Sequence, residues 1–408
     1  MISLQPIARA LVPVDSDAAR RVSAPNYDEF QGAREIWDAL RSNPDSVLAV
    51  TMAHCDTDSP QEIGRADSDA SLARAAANMR RIAASELTRE VRRALYCYEI
   101  RDPVRPDIRQ IGLGGMARTD EIRTEATPEG VIIRNEGIRV PKARGRADLI
   151  EATSAIIGTV NLAVPDATGG FGRALEQFAD SRHPDFETPD SAGYVHRIWL
   201  VEEPGAIARF QHLLSLEPEA YVADGNHRSA AAAMLGYAHF LTVFFPADRM
   251  RIAAYNRLVR ARLDDPAVLD AAFERRGAPP TVPFQPVDTH VIGLYTPAGW
   301  VALIPREGSF DARDAAASID HAIVQSALFA GVLGIEDAGD ERLTFVGANR
   351  DAAWLEAQVD AGRADLAVTI PPVTMPQFIA VCRQGKMMPP KSTWFEPKIR
   401  SGLVMALL

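Results

Sequence analysis

The stretch "YVADGNHRSAAAAML", residues 221–235, decides how this chain is read. It begins as a strand, turns at Asp224 and Gly225, and continues as an alanine-rich helix. Asp224, Asn226, His227 and Arg228 crowd the turn, where a plain connection needs only a turn former and a cap. Gly225 lets the backbone take a positive φ or come close to a ligand. The residues after it open a helix, whose unpaired N–H groups and dipole favour an anion. Arg228 can grip phosphate oxygens with two parallel N–H bonds, which a lysine cannot do. His227 offers a further donor, and Asp224 can hold a magnesium ion or position a hydroxyl. Ser229 and the alanines through Ala233 are small enough for the helix to lie close to its strand. Gly225, Asn226, His227, Arg228 and Ser229 therefore predict a phosphate cradle. The plainer reading is a sharp Asp-Gly turn with a capped helix and solvated His and Arg.

Composition bounds the alternatives. The chain has 408 residues, room for two or three domains, with 47% hydrophobic and 24% charged residues, as in an ordinary globular protein. A net charge of −10 repels nucleic acid as a whole, so phosphate binding has to be local. The three cysteines, Cys55, Cys97 and Cys382, show neither metal-ligand spacing nor a disulfide framework. "MISLQPIARALVPVDSDAARR" lacks the continuous apolar core of a secretory signal, and no run approaches the ~20 apolar residues that span a bilayer. The expectation is a cytoplasmic protein without nucleic-acid or membrane partners, its oligomeric state left open.

Strand and helix patterns alternate along the chain. "SVLAVTMA" (46–53) reads as a short apolar strand, "ASLARAAANMRRIAASELTREV" (70–91) as a helix, and "RALYCYEIR" (93–101) as a strand. "IRQIGLGGMARTD" (108–120) reads as a strand loosened by glycines, and is no phosphate loop because no Gly-Lys-Ser/Thr follows. In residues 130–157 a strand crosses a basic loop and enters a helix near Ala147. "YVHRIWLVEEPGAIARFQHLL" (194–214) is a strand, then a helix whose acidic, Pro-containing start suits the dipole. "RRGAPPTVPFQPVDT" (275–289) marks a boundary or long loop, and "HVIGLYTPAGWVALIP" (290–305) a hairpin turned at Pro297, Ala298 and Gly299. The pattern predicts an α/β or α+β protein.

"ADGNHR" (223–228) resembles the Asp-Gly-His-His-Arg motif of free serine kinases of the ParB/sulfiredoxin-like fold, and the Gly-x-x-Arg phosphate motif of ParB nucleotidases. "VIIRNEGIRVPKARGRADLI" (131–150), "MPPKSTWFEPKIRSGLV" (388–404), "APNYD" (24–28) and "YNRLV" (255–259) resemble other landmarks of a catalogued bacterial and archaeal family of unknown function that contains such kinase-like proteins. The resemblance implies a ParB/sulfiredoxin-like nucleotide-binding core elaborated by additional mixed sheet and helices. It divides the chain into an N-terminal α/β region at 1–125, the core at 126–275 and a C-terminal α/β region at 276–408. It also implies magnesium with ATP or ADP as donor and a free amino acid, L-serine above all, as acceptor.

The kinases' catalytic His-Glu pair is matched here by Asn135 and Glu136, which makes Glu136 the implied base, 88 residues before Asp224 (224 − 136). Asp224 would hold the metal, and His227 and Arg228 the phosphates. Asn226 replaces the first motif histidine, and also stands where sulfiredoxins carry a reactive cysteine, which excludes that chemistry. Lys142 and Arg144, in the basic stretch beside Glu136, are candidates for an acceptor carboxylate. The family match adds Lys391 and Ser392. Glu202 and Glu203 remain alternative bases, and a nucleotide-binding regulatory protein or a non-catalytic relative remains the alternative function.

Overall fold

A computed structural model describes residues 1–263, 265–277 and 281–408. The Ala278-Pro279-Pro280 part of the expected Pro-rich boundary lies outside the described residues. The architecture is mixed α/β, and the chain divides into two compact units. The first comprises Met1–Arg134, Ile138–Met250 and Pro397–Leu408; the second comprises Asn135–Gly137 and Arg251–Glu396. This differs from three consecutive regions at 1–125, 126–275 and 276–408. The C-terminal strand Met405–Leu407 pairs with Ile7–Pro13 and Ala155–Ile156, which ties the chain's end to the first unit.

The first unit is built on a 12-stranded mixed sheet. Val160–Val164 lies between Ala220–Asp224, antiparallel, and His239–Pro246, parallel. The sheet continues through Arg109–Arg118 and Thr88–Arg101. One face buries Val160, Leu162, Val222, Leu113 and Phe244 against helices Gly170–Asp180 and Pro204–Ser215, which contribute Phe171, Leu175, Phe210 and Leu214. The glycines of "GLGGM" have a packing reason: a Cβ on Gly114 would fall 2.0 Å from the Tyr96 ring, and one on Gly112 would fall 2.5 Å from the Phe244 carbonyl oxygen. Close cross-strand approach is a usual cause of glycine within a strand.

Three expectations change here. The helix expected over 70–91 ends at Ala83, and residues 88–91 already belong to the strand Thr88–Arg101. "SVLAVTMA" holds the helical turn Leu48–Thr51, not a strand, with Val47, Leu48 and Val50 buried against Met79 and Ile82 of the helix Asp69–Ala83. A short apolar run has no period long enough to separate the two states, and here a helix stood ready to cover it. The helix expected near Ala147 instead spans Val140–Thr153, with Pro141 in its first turn, so the basic stretch is helical.

The second unit has a six-stranded sheet, with Asn256–Val259 between Leu343–Val346 and Leu366–Thr369, and a separate pair formed by Arg251–Ala253 and Trp394–Glu396. The predicted hairpin is present: Ile292–Thr296 pairs with Gly299–Pro305, and Gly299 closes the turn at φ +108°. No helix of the described residues is long and apolar enough to cross a membrane.

Candidate functional site

The strand Ala220–Asp224 stops at Gly225, whose φ of +105° a side chain would strain and whose added Cβ would meet Val160 Cα at 3.2 Å. The helix Asn226–Met234 starts at once. Arg228, one turn in, folds back over the corner. Its Nη2 lies 2.9 Å from Asp224 Oδ1, and its Nη1 donates to the Thr159 carbonyl at 2.6 Å. Gly158 makes room for it, since a Cβ there would fall 2.7 Å from Arg228 Cδ. His227 Nε2 accepts the backbone N–H of Arg139 at 3.0 Å, which places the proton of the neutral ring on Nδ1. Arg139 caps the helix Val140–Thr153, so two helix N-termini, each with a positive dipole end, meet at His227. The Ser229 hydroxyl is turned onto the Asn226 carbonyl within the helix.

Two distant segments are zipped together beside this corner. Ala24 and Ser401 exchange backbone hydrogen bonds at 3.0 Å, and Asn26 Nδ2 donates to the Ile399 carbonyl at 3.0 Å. Arg400 donates to both the side chain and the carbonyl of Ser23, while its own N–H is accepted by the Tyr98 hydroxyl. The zipper brings Asp28 and Lys398 to Asp224: Lys398 Nζ is 3.4 Å from Asp28 Oδ2 and 3.4 Å from Asp224 Oδ2. Next to Asp28, burial pushes the Glu29 carboxyl up to about 7 against the opposing bond from the Asn26 N–H. Burial also pulls the Arg146 and Arg400 guanidiniums below the usual arginine range.

A cavity of about 280 Å³ adjoins the corner, near the lower end of the ~300–1,000 Å³ of ligand pockets. Its lining mixes apolar residues (Val50, Ala53, Leu72, Leu149) with Lys142, Arg146 and His227, and includes Asp67. A second, smaller cavity shares Tyr27, Thr51, Arg146 and Leu149 with it and reaches Gly158 and Arg228. Arg146 sits over the Tyr27 ring at 4.6 Å. Lys142 and Arg146, four apart, share one helix face, whereas Arg144 points the other way and pairs with Asp148 at 2.8 Å, 60% exposed.

Glu136, Lys391 and Ser392 meet in the second unit. Glu136 forms a parallel bridge with Met388, and the Met388 N–H donates to the Asn135 carbonyl at 2.8 Å. The Lys391 N–H donates to Glu136 Oε2 at 3.3 Å, from a backbone held at φ +60°. Arg257 locks that turn: Nη2 reaches the carbonyls of Pro390 and Lys391, and Nη1 those of Tyr255 and Asn256. Burial pulls the Arg257 guanidinium down to about 10, opposed by Tyr255 and Glu136. The Ser392 hydroxyl closes its turn on the Pro389 carbonyl.

The landmarks quoted above thus gather into two clusters, one per unit. Sequence reading did not select Asp28 or Gly158 as site residues. Arg146 stood with Lys142 and Arg144 in the basic stretch, and Lys398 in the C-terminal landmark, without a role of its own. Glu203 occupies the N-cap position of the helix Pro204–Ser215 without a side-chain cap bond and pairs with Arg182 at 3.4 Å. Among the described residues no three His, Cys, Asp or Glu gather as a metal site.

The chain belongs to the family described as "Protein of unknown function (DUF1015)", which matches residues 4–327. No curated protein matches it. Among solved structures it is similar to SbnI with C-terminal truncation from Staphylococcus aureus, with 12% identity, 72% of this chain and 87% of that one covered, and a TM-score of 0.39. It is also similar to a conserved hypothetical protein from Pyrococcus furiosus, with 13% identity, coverage of 67% and 92%, and a TM-score of 0.35. A free serine kinase in complex with AMP matches with 13% identity, coverage of 67% and 89%, and a TM-score of 0.37.

Proposed function

We propose that the protein is a nucleotide-dependent small-molecule kinase with a ParB/sulfiredoxin-like core, transferring phosphate from ATP or ADP to the hydroxyl of a free amino acid, serine first among candidates. The observation that carries this reading is the corner itself: a glycine-forced turn, two helix N-termini and Arg228 beside a cavity of about 280 Å³ lined by apolar residues together with Lys142, Arg146 and His227. That combination suits a flat apolar base joined to phosphates.

Gly225, Asn226, His227 and Arg228 bind the phosphates through backbone N–H groups and charged or neutral donors. Lys142 and Arg146 add positive charge on the same side. Asp224 would hold the magnesium that accompanies the nucleotide, which there neutralises phosphate charge. Glu136 takes the hydroxyl proton of the acceptor, and Lys391, whose backbone fastens it, offers a cation for the acceptor carboxylate. In phosphoryl transfer such positioning and charge neutralisation supply most of the catalysis.

The test is direct. Protein, magnesium and ATP or ADP are incubated with single hydroxyl amino acids, and phosphorus NMR with mass spectrometry reads the products. A phosphorylated amino acid supports the kinase. Nucleotide binding without any such product over the whole panel supports a nucleotide-controlled regulator instead.

A further inference from the structure

The Lys398 ammonium is held between two carboxylates, and its geometry differs from that of its neighbour Arg228. Arg228 makes a close contact with Asp224, 2.9 Å, and a second bond to a fixed carbonyl. Lys398 stands at 3.4 Å from both Asp28 and Asp224, longer than the roughly 2.7–2.9 Å of a settled charge-assisted bond. A lysine is a compact point charge on a flexible stem, so a shared position of this kind is easily exchanged for another.

A purely structural staple does not account for it well. The segment carrying Lys398 is already fastened by the Ala24–Ser401 backbone pair, by Asn26 on Ile399 and by Arg400 on Ser23. The Lys398 side chain is nevertheless only 10% exposed, and burying an ammonium is costly without compensation. Asp28 and Asp224 supply that compensation and keep the charge beside Asp224, which also holds Arg228.

We propose that Lys398 is the cation that moves onto the outer phosphates of the bound nucleotide, leaving Asp28, which otherwise restrains it. The inference rests on the nucleotide reading of the corner and assigns a binding role to the C-terminal segment. A phosphate oxygen offers Lys398 a shorter, stronger partner than either carboxylate does now. Since the corner beside Arg228 takes the phosphate nearest the helix start, the gain from Lys398 grows with the number of phosphates beyond it.

The experiment is calorimetric titration of AMP, ADP and ATP into the full chain in EDTA, so that no metal competes for the carboxylates. Wild type is compared with Lys398→Met, Lys398→Arg and Asp28→Asn. Lys398→Met should weaken ADP and ATP by roughly 10- to 100-fold and AMP by less than about threefold, with Lys398→Arg recovering part of the loss. Asp28→Asn should tighten ADP, because it removes a competitor for the lysine; a staple predicts no change or a loss. Equal affinities in wild type and Lys398→Met, or an equal loss for all three nucleotides, overturns the inference. If Lys398→Met does not fold, unchanged or weaker ADP binding by Asp28→Asn overturns it. Failure of wild type to bind any nucleotide overturns the nucleotide reading itself.

Discussion

Arg228 and Asp224, four residues apart across the start of one helix, are bound to each other at 2.9 Å, and Asp224 also faces Lys398 at 3.4 Å. The motif's acid and its arginine are therefore partners of each other in the structure. Asp224 orients the guanidinium, and the Thr159 carbonyl fixes its other end. Asp224→Asn should then reduce nucleotide affinity several-fold even without magnesium, because it loosens Arg228. Calorimetry in EDTA checks this; if the loss appears only with magnesium present, Asp224 acts through the metal alone.

Gly158 tests the corner without removing a charged group. Its added Cβ would press on Arg228 Cδ at 2.7 Å, at the stem of the side chain. Gly158→Ala should displace the guanidinium and weaken ADP binding by about tenfold, while the melting temperature falls by only a few degrees. Unchanged affinity with the same melting behaviour would mean that Arg228 is not placed for phosphate.

Chemistry and binding should separate at Glu136. Glu136→Gln keeps an acceptor for the Lys391 N–H but cannot take a proton. Turnover should fall by about a hundredfold or more with nucleotide affinity nearly unchanged, as single-turnover kinetics beside calorimetry would show. If turnover survives, the base lies elsewhere, and Glu202 and Glu203 are the next to be replaced.

Two buried groups give the fold opposite pH slopes. Glu29 has its folded pKa raised from 4.5 to about 7, so its unfolded form releases the proton first as pH rises. Its contribution is present below about 4.5 and is lost as pH climbs to about 7, by at most roughly 3 kcal/mol. His321, lowered from 6.5 to about 3 by burial and then by Arg257, works the other way. Its contribution is present above 6.5 and is lost as pH falls toward 3. Between 4.5 and 6.5 the two slopes offset each other, so thermal melting against pH should show Glu29→Gln uncovering a rise of stability with pH there, and His321→Gln flattening the rise between about 3 and 4.5. Parallel curves for wild type and both variants would contradict these assignments.

How much of this was legible in the sequence differs by level. The corner was readable because its chemistry is local: Asp224 through Arg228 lie on five consecutive residues where a strand meets a helix. The hairpin at 290–305 was readable from turn chemistry, and the helix expected over 70–91 from its period, although it stops at Ala83 and its last expected residues are strand. The partners of Asp224 were not, because Asp28 and Lys398 lie at opposite ends of the chain and meet only through the zipper of 23–26 with 399–401. The helix face that separates Lys142 and Arg146 from Arg144 was hidden by taking 139–146 as a loop; once Pro141 is placed in the first helical turn, the spacing assigns the faces. The two replacements of histidine, Asn135 and Asn226, are both buried, which a sequence shows as a change of charge but not as a limit on volume.

The central claim is that Arg228 and the helix start after Gly225 hold a nucleotide's phosphates. Titration calorimetry of ADP into wild type and Arg228→Ala, both checked for folding by circular dichroism, tests it most directly. The account predicts measurable binding by wild type and a loss of about 1.5–3 kcal/mol, roughly 10- to 150-fold, in the variant. Equal affinity of the two folded proteins for ADP would contradict it.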